Sequence, residues 1–156
     1  MTWLRINRFF SLACVMVLYG GVASAQSCPD LHSATEISGF DLSHFEDQAH
    51  FEYQEWEVST EDGLFYVRVN PEHCLFILSA RMGDHNIDQV TVANNWNQEQ
   101  PISTAYIKDG AIWLRSSAYL HNANEKLLAA NLFIFDLMAK EFLTTLKHDM
   151  KKKTAL

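Results

Sequence analysis

The chain has 156 residues, 48% of them hydrophobic, and its 12 basic and 19 acidic side chains leave a net charge of −7. With only 6 Gly and 3 Pro it is neither collagenous nor disordered, and its acidic balance argues against a nucleic-acid partner, because phosphate binding draws on excess Lys and Arg. These figures describe one globular domain with something apolar attached, and they contain no reaction.

The apolar part is at the N-terminus. Arg5 and Arg8, with no acidic residue near them, precede an apolar stretch from Phe9 to Tyr19, and Gly20-Gly21 then leads into Ala23-Ser24-Ala25. This order predicts a signal peptide over residues 1–25, cleaved after Ala25, and therefore an exported protein, periplasmic or secreted. A transmembrane span is the competing reading, but it needs ~20 apolar residues and polar sequence resumes at Ser24. A lipoprotein site at Cys14 would favour Leu where Ser11 stands. Cleavage removes Arg5, Arg8 and Cys14, so that 131 residues remain with a net charge of −9, two cysteines and no stable membrane anchor.

An even pair of cysteines, Cys28 and Cys74, in an exported chain predicts a disulfide. The alternative is a buried thiol at Cys74, which opens an apolar run. A bridge would pin the new N-terminus to the sheet and serve stability, with no redox role implied. The chain has no Cys-x-x-Cys.

Residues 26–50 form a weakly patterned segment, with a short amphipathic helix expected over Asp41–Ala49 and capped by Asp41. The core domain runs from 51 to 148. Phe51 to Ser59 and Leu64 to Asn70 alternate around Thr60-Glu61-Asp62-Gly63, which predicts a hairpin. The first of these strands has mixed faces, Trp56 and Val58 on one and Glu55 and Glu57 on the other, and reads as a solvated edge. Cys74 to Ala80 should be a central strand after the turn at Asn70-Pro71-Glu72-His73. Helical spacing from Ile87 to Gln98 predicts a helix that ends before Pro101. Ile102 to Ile107 and Ala111 to Ala118 flank Asp109-Gly110 as a second hairpin. Leu127, Leu128, Leu132, Phe135, Met138, Ala139, Phe142, Leu143 and Leu146 then follow i, i+3, i+4 spacing in a long helix opened by Asn122 or Asn124. Lys147, Lys151, Lys152 and Lys153 suit its C-terminal dipole. The expected class is α+β, an antiparallel sheet of about five strands against two or three helices, in the order (α)βββαββα.

Chemistry is sparse. His32, His44, His50, His73, His85, His121 and His148 show no His-x-x-x-His or His-x-His spacing, and most stand among polar turn residues. Glu46, Asp47, Glu52, Glu55, Glu57, Glu61 and Asp62 cluster around the first hairpin, where spacing alone does not make an acid–base pair. No Gly-x-Ser-x-Gly, phosphate loop or dinucleotide fingerprint is present. The expectation is a non-enzyme without a cofactor or a metal site.

One stretch reads as a motif: Asn94-Asn95-Trp96-Asn97, then Ala105-Tyr106, the Asp109-Gly110 turn, and Phe142 near the end of the closing helix. Here the chain resembles the YbjN family, a bacterial sensory transduction regulator domain, over Phe51 to Leu146. Asn94, Trp96, Asn97, Ala105, Tyr106 and Phe142 match the family pattern, and Cys74 falls where secreted members often carry a cysteine. Two departures are Gln100-Pro101-Ile102-Ser103, where the family has a basic residue and an aromatic, and Asn122-Ala123 in place of Gly-Gly. The resemblance implies a type III secretion chaperone-like fold and no known catalysis. Asn94 and Asn97 are then expected to cap the helix and hold the next loop, and Trp96 to pack in the core. The functional expectation is binding of a protein or peptide partner in a chaperone-like or regulatory role, with a homodimer compatible. The alternative is a small-molecule or metal-binding sensor.

Overall fold

The computed structural model describes residues 27–44, 53–83 and 89–154. The expected signal peptide with its Ala25 cleavage point and Cys14 lie outside these residues, as do His50, His85, Glu46, Asp47, Glu52 and Ile87.

The described chain is α+β. Helix α1 (Leu31–Ser38) leads into β1 (Asp41–His44), β2 (Gln54–Thr60), β3 (Gly63–Asn70) and β4 (Leu75–Gly83), and then into α2 (Gln89–Glu99), β5 (Thr104–Lys108), β6 (Ala111–Tyr119) and α3 (Glu125–Thr154). The six strands form one antiparallel sheet in the order β1-β2-β3-β4-β6-β5.

The start of the domain departs from expectation. Asp41 caps no helix: Asp41–His44 is an edge strand with Leu42 opposite Val58. The cap is Asp30, whose side chain accepts hydrogen bonds from the Ser33 N–H and hydroxyl, both at 2.8 Å. Gly39, at φ 71°, ends the helix, and its N–H together with that of Phe40 reaches back to the last turn. The chain leaves this cap extended, so Phe40 and Leu42 reach the core by period-two alternation. β2 is consequently no edge. It lies between β1 and β3, with Val58 fully buried.

The hydrogen bonds from Ser33 hold the Asp30 carboxyl below its ordinary pKa of 3.8. A depressed folded value means that this contribution is present above the unfolded pKa and fades as the pH falls through the folded one. Asp30→Ala should lower stability by about 1 kcal/mol near neutral pH, and the gap to the parent should narrow as urea melts are repeated below pH 3.8.

The two hairpins turn by different means. Asp109 and Gly110 have φ 52° and 72°, the left-handed pair of a tight two-residue loop. In the first hairpin Thr60 pairs with Gly63, so Glu61-Asp62 forms the tip and Gly63 already belongs to β3.

One face of the sheet is covered. Val58, Phe65, Val67, Phe76, Leu78 and Leu114 lie beneath Leu128, Leu132, Phe135, Phe142 and Leu146 of α3. Asn124 opens that helix, its carboxamide oxygen accepting the Leu127 N–H at 3.0 Å. Leu127 itself is half exposed and takes no part in the core stripe. No helix among the described residues is long and apolar enough to cross a membrane.

Cys28 and Cys74 are joined, with Cα atoms 5.2 Å apart, within the range for a disulfide. The bridge ties residues 27–30 to the start of β4, where the Ser27 carbonyl also accepts the Asn122 N–H at 3.3 Å. Cys74 sits at φ 45°, uncommon for a residue with a Cβ.

Candidate functional site

Three places gather the polar and aromatic residues of interest. The first is the motif. Trp96 is buried on α2, its indole N–H donates to the Ser103 hydroxyl at 2.9 Å, and its ring lies 4.7 Å from that of Phe142. Asn97 treats the edge strand as a strand partner would: its amide nitrogen donates to the Ala105 carbonyl at 2.9 Å and its oxygen accepts the Ala105 N–H at 2.7 Å. Trp96, Asn97, Ala105 and Phe142 thus form one latch between α2, β5 and α3. Asn94 stands exposed on α2, and Tyr106 projects from the other face of β5 beside Trp113. With its polar atoms spent on neighbouring backbone and hydroxyl groups, the latch has little left to offer a ligand.

The second place is a cleft of about 360 Å³ between the β2–β3 hairpin, the end of β4 and α3, lined by Phe65, Met82, Ala139 and Leu143 among others. Its polar wall holds Asp136, a buried carboxylate within the apolar stretch of α3. Asp136 accepts from the Thr60 hydroxyl at 3.1 Å and from Lys140 at 2.9 Å, and Lys140 also reaches Asp62 at 2.9 Å. Hydrogen bonds to Asp136 and then to Asp62 push the Lys140 ammonium above its ordinary range. Lys140 is therefore held in its charged form by the two carboxylates it bridges. The arrangement clamps the hairpin to α3, and its volume is at the small end for a ligand pocket. Asp136 was legible only as an acid between Phe135 and Leu137 in a helical stripe. Lys140 stands one turn on along the same helix, at a spacing that suits an ion pair, whereas Thr60 is distant in sequence and left no signal.

The third place is the outer face of the sheet. Register puts Glu55 and Glu57 of β2, Tyr66 and Arg68 of β3, Ile77 and Arg81 of β4, Trp113 and Arg115 of β6, and Tyr106 of β5 on this side. All are half-buried or exposed. Acidic residues lie toward β1, whereas Arg68, Arg81 and Arg115 are every arginine of the chain beyond Arg8. Arg68 pairs with Glu55 across the strands, and the Tyr66 and Trp113 rings stand 6.4 Å apart. The Trp113 N–H is buried with no hydrogen-bond partner among the described residues.

The described histidines do not gather into a metal-ligand group. His32 packs edge-on against Trp56 at 4.9 Å, and His73, His121 and His148 are exposed. Among the described residues no group of three His, Cys, Asp or Glu is placed to hold a metal ion.

Comparison with protein-family models, curated proteins and solved structures gave no match.

Proposed function

We propose that the chain is an exported, non-enzymatic domain similar to the YbjN family, which binds a protein or peptide partner on the open face of its sheet in a chaperone-like or regulatory role. The observation that carries this reading is that face: aromatic rings and all three arginines beyond the leader, gathered on one side of a sheet whose other side is filled by helices. Aromatic and arginine side chains dominate binding energy where surfaces meet. In a chain of net charge −7 their segregation favours an acidic partner with apolar anchors. The disulfide supports an oxidising compartment, and the motif residues and element order support the family resemblance, although a fold alone does not specify a function.

The test is an arrayed library of random peptides probed with the purified chain. Acidic peptides carrying an aromatic residue should be enriched, and Arg115→Glu should weaken a selected peptide about tenfold in fluorescence anisotropy, as should raised salt. A library with no enriched set, or binding indifferent to Arg115→Glu, would overturn the reading. A second reading, a small-molecule sensor, is favoured by the cleft beside Asp136. A thermal-shift screen with metals and metabolites separates it from the first, because a ligand there should raise the melting temperature and lose its effect in Leu143→Trp, which fills the cleft.

A further inference from the structure

The ladder between β3 and β4 is shorter than the strands that form it. From Asn70 and Leu75 it runs only as far as Tyr66 and Ser79. Beyond that pair Gly63 to Phe65 stay with β2, and Ala80 to Gly83 stay with β6. Two neighbouring strands in the middle of the sheet therefore part at one end, and the cleft of about 360 Å³ lies in the notch, lined on its helix side by Asp136, Ala139, Lys140 and Leu143 of α3. Thr60 pairs with Gly63 across a two-residue tip, which sets the alternation of β3: Leu64, like Tyr66 and Arg68, turns its N–H and C=O away from β2 and toward β4. At Tyr66 and Arg68 these groups meet β4, whereas at Leu64 they face the notch.

Three features of the notch suit the same partner. The backbone of Leu64 offers the donor and acceptor of an unfinished ladder, which another peptide group completes. Phe65, Met82, Ala139 and Leu143 supply apolar lining for a side chain. The remaining wall is anionic, because the Asp62 and Asp136 carboxylates share a single ammonium, that of Lys140, at 2.9 Å from each. Lys140 marks where an ammonium sits and leaves one negative charge over. Its side chain is 39% exposed and that of Asp62 63%, so both are open to solvent. Arg81, on the opposite wall, belongs by register to the open face of the sheet. A segment from the middle of a chain would answer the first two features and not the third. The α-ammonium of a chain end, charged at neutral pH, answers it.

We infer that the cleft captures the N-terminus of a peptide whose first residue is apolar. The ammonium joins Asp62 and Asp136, the first side chain lies against Phe65, Met82 and Leu143, and the first peptide group pairs with Leu64. This site is separate from the one assigned to the open sheet face.

Backbone amide shifts of the ¹⁵N-labelled, oxidised chain, titrated with leucyl-glycinamide, test this. The Leu64 and Gly83 signals should move and saturate. The α-acetylated peptide, which lacks the charge, should bind at least about tenfold more weakly, and Asp62→Asn should weaken leucyl-glycinamide by a similar factor. Leu143→Trp, which fills the cleft, should abolish the shifts. Leucinamide carries the ammonium and the side chain without a second residue, and should bind about fivefold more weakly. No shift at Leu64 and Gly83, or equal binding of the acetylated peptide, would overturn the site. Leucinamide binding as tightly as leucyl-glycinamide would overturn the peptide and leave a small amine as the ligand. Asp62 stands at an exposed hairpin tip, so Asp62→Asn remains informative should Leu143→Trp disturb folding. Arg115→Glu should leave the titration unchanged, which keeps failure here distinguishable from failure of the open-face reading.

Discussion

Truncating Phe142 to alanine should lower stability by about 3–5 kcal/mol, read as an earlier midpoint in urea with an unchanged slope. The ring is fully buried, and it supports more than its own contacts. Trp96 rests on it at 4.7 Å, and Trp96 in turn fixes the α2 end from which Asn97 holds Ala105. With the ring removed, Trp96 loses its floor, and the cavity is too far inside for water to fill usefully. The Ala105 amide, protected in the parent by the Asn97 oxygen at 2.7 Å, should then exchange by a low-energy opening of β5 rather than by global unfolding. This separates a latch from a ligand site. If the motif residues served a ligand, their loss would abolish binding and leave the unfolding midpoint in place.

Removing the disulfide should have an effect of similar size. The bridge spans 46 residues and encloses α1, β1, β2 and β3. Loop-closure entropy for that length corresponds to about 4 kcal/mol, an upper guide, with 2–4 typical. Cys28→Ala combined with Cys74→Ala, or the parent in excess reductant, should shift the urea midpoint by that amount, and reductant should leave the double variant unmoved. The loss should be felt first at α1, which is eight residues long and depends on its cap, on α3 and on the bridge for its place. An unchanged midpoint under reduction would mean that the bridge does not hold this segment.

Much of the fold was legible because it rests on local rules. The Asp109-Gly110 turn, the alternation of β3 and β4, and the long apolar period of α3 are each written within a few residues, and each appears where expected to within three or four residues, apart from the length of the final helix. The start of the domain failed for an equally physical reason. Asp30 and Asp41 are both competent helix caps, and four residues of strand carry too little period to announce themselves. Asp41–His44 is a strand because β2 offers it a ladder, and that partner lies beyond residues 45–52. The mistaken edge character of β2 followed from the same omission.

The functional places divide in the same way. Sequence alone marked Trp96, Asn97, Ala105 and Phe142, but their joint role as a latch emerged only once α2, β5 and α3 were set together. Asp136 has Lys140 one turn on along its own helix, but Thr60, and through Lys140 Asp62, reach it only by the packing of the first hairpin on the last helix. What the chain determined unaided was its acidic balance, its α+β order, its paired cysteines and the expectation of export, all of which depend on composition or short-range pattern. Tertiary structure decided which sheet face stays open, that its arginines gather there, and that β3 and β4 part beside α3 to leave a cleft. Those are questions of which surface another surface removes from water, and no residue answers them from its own neighbourhood.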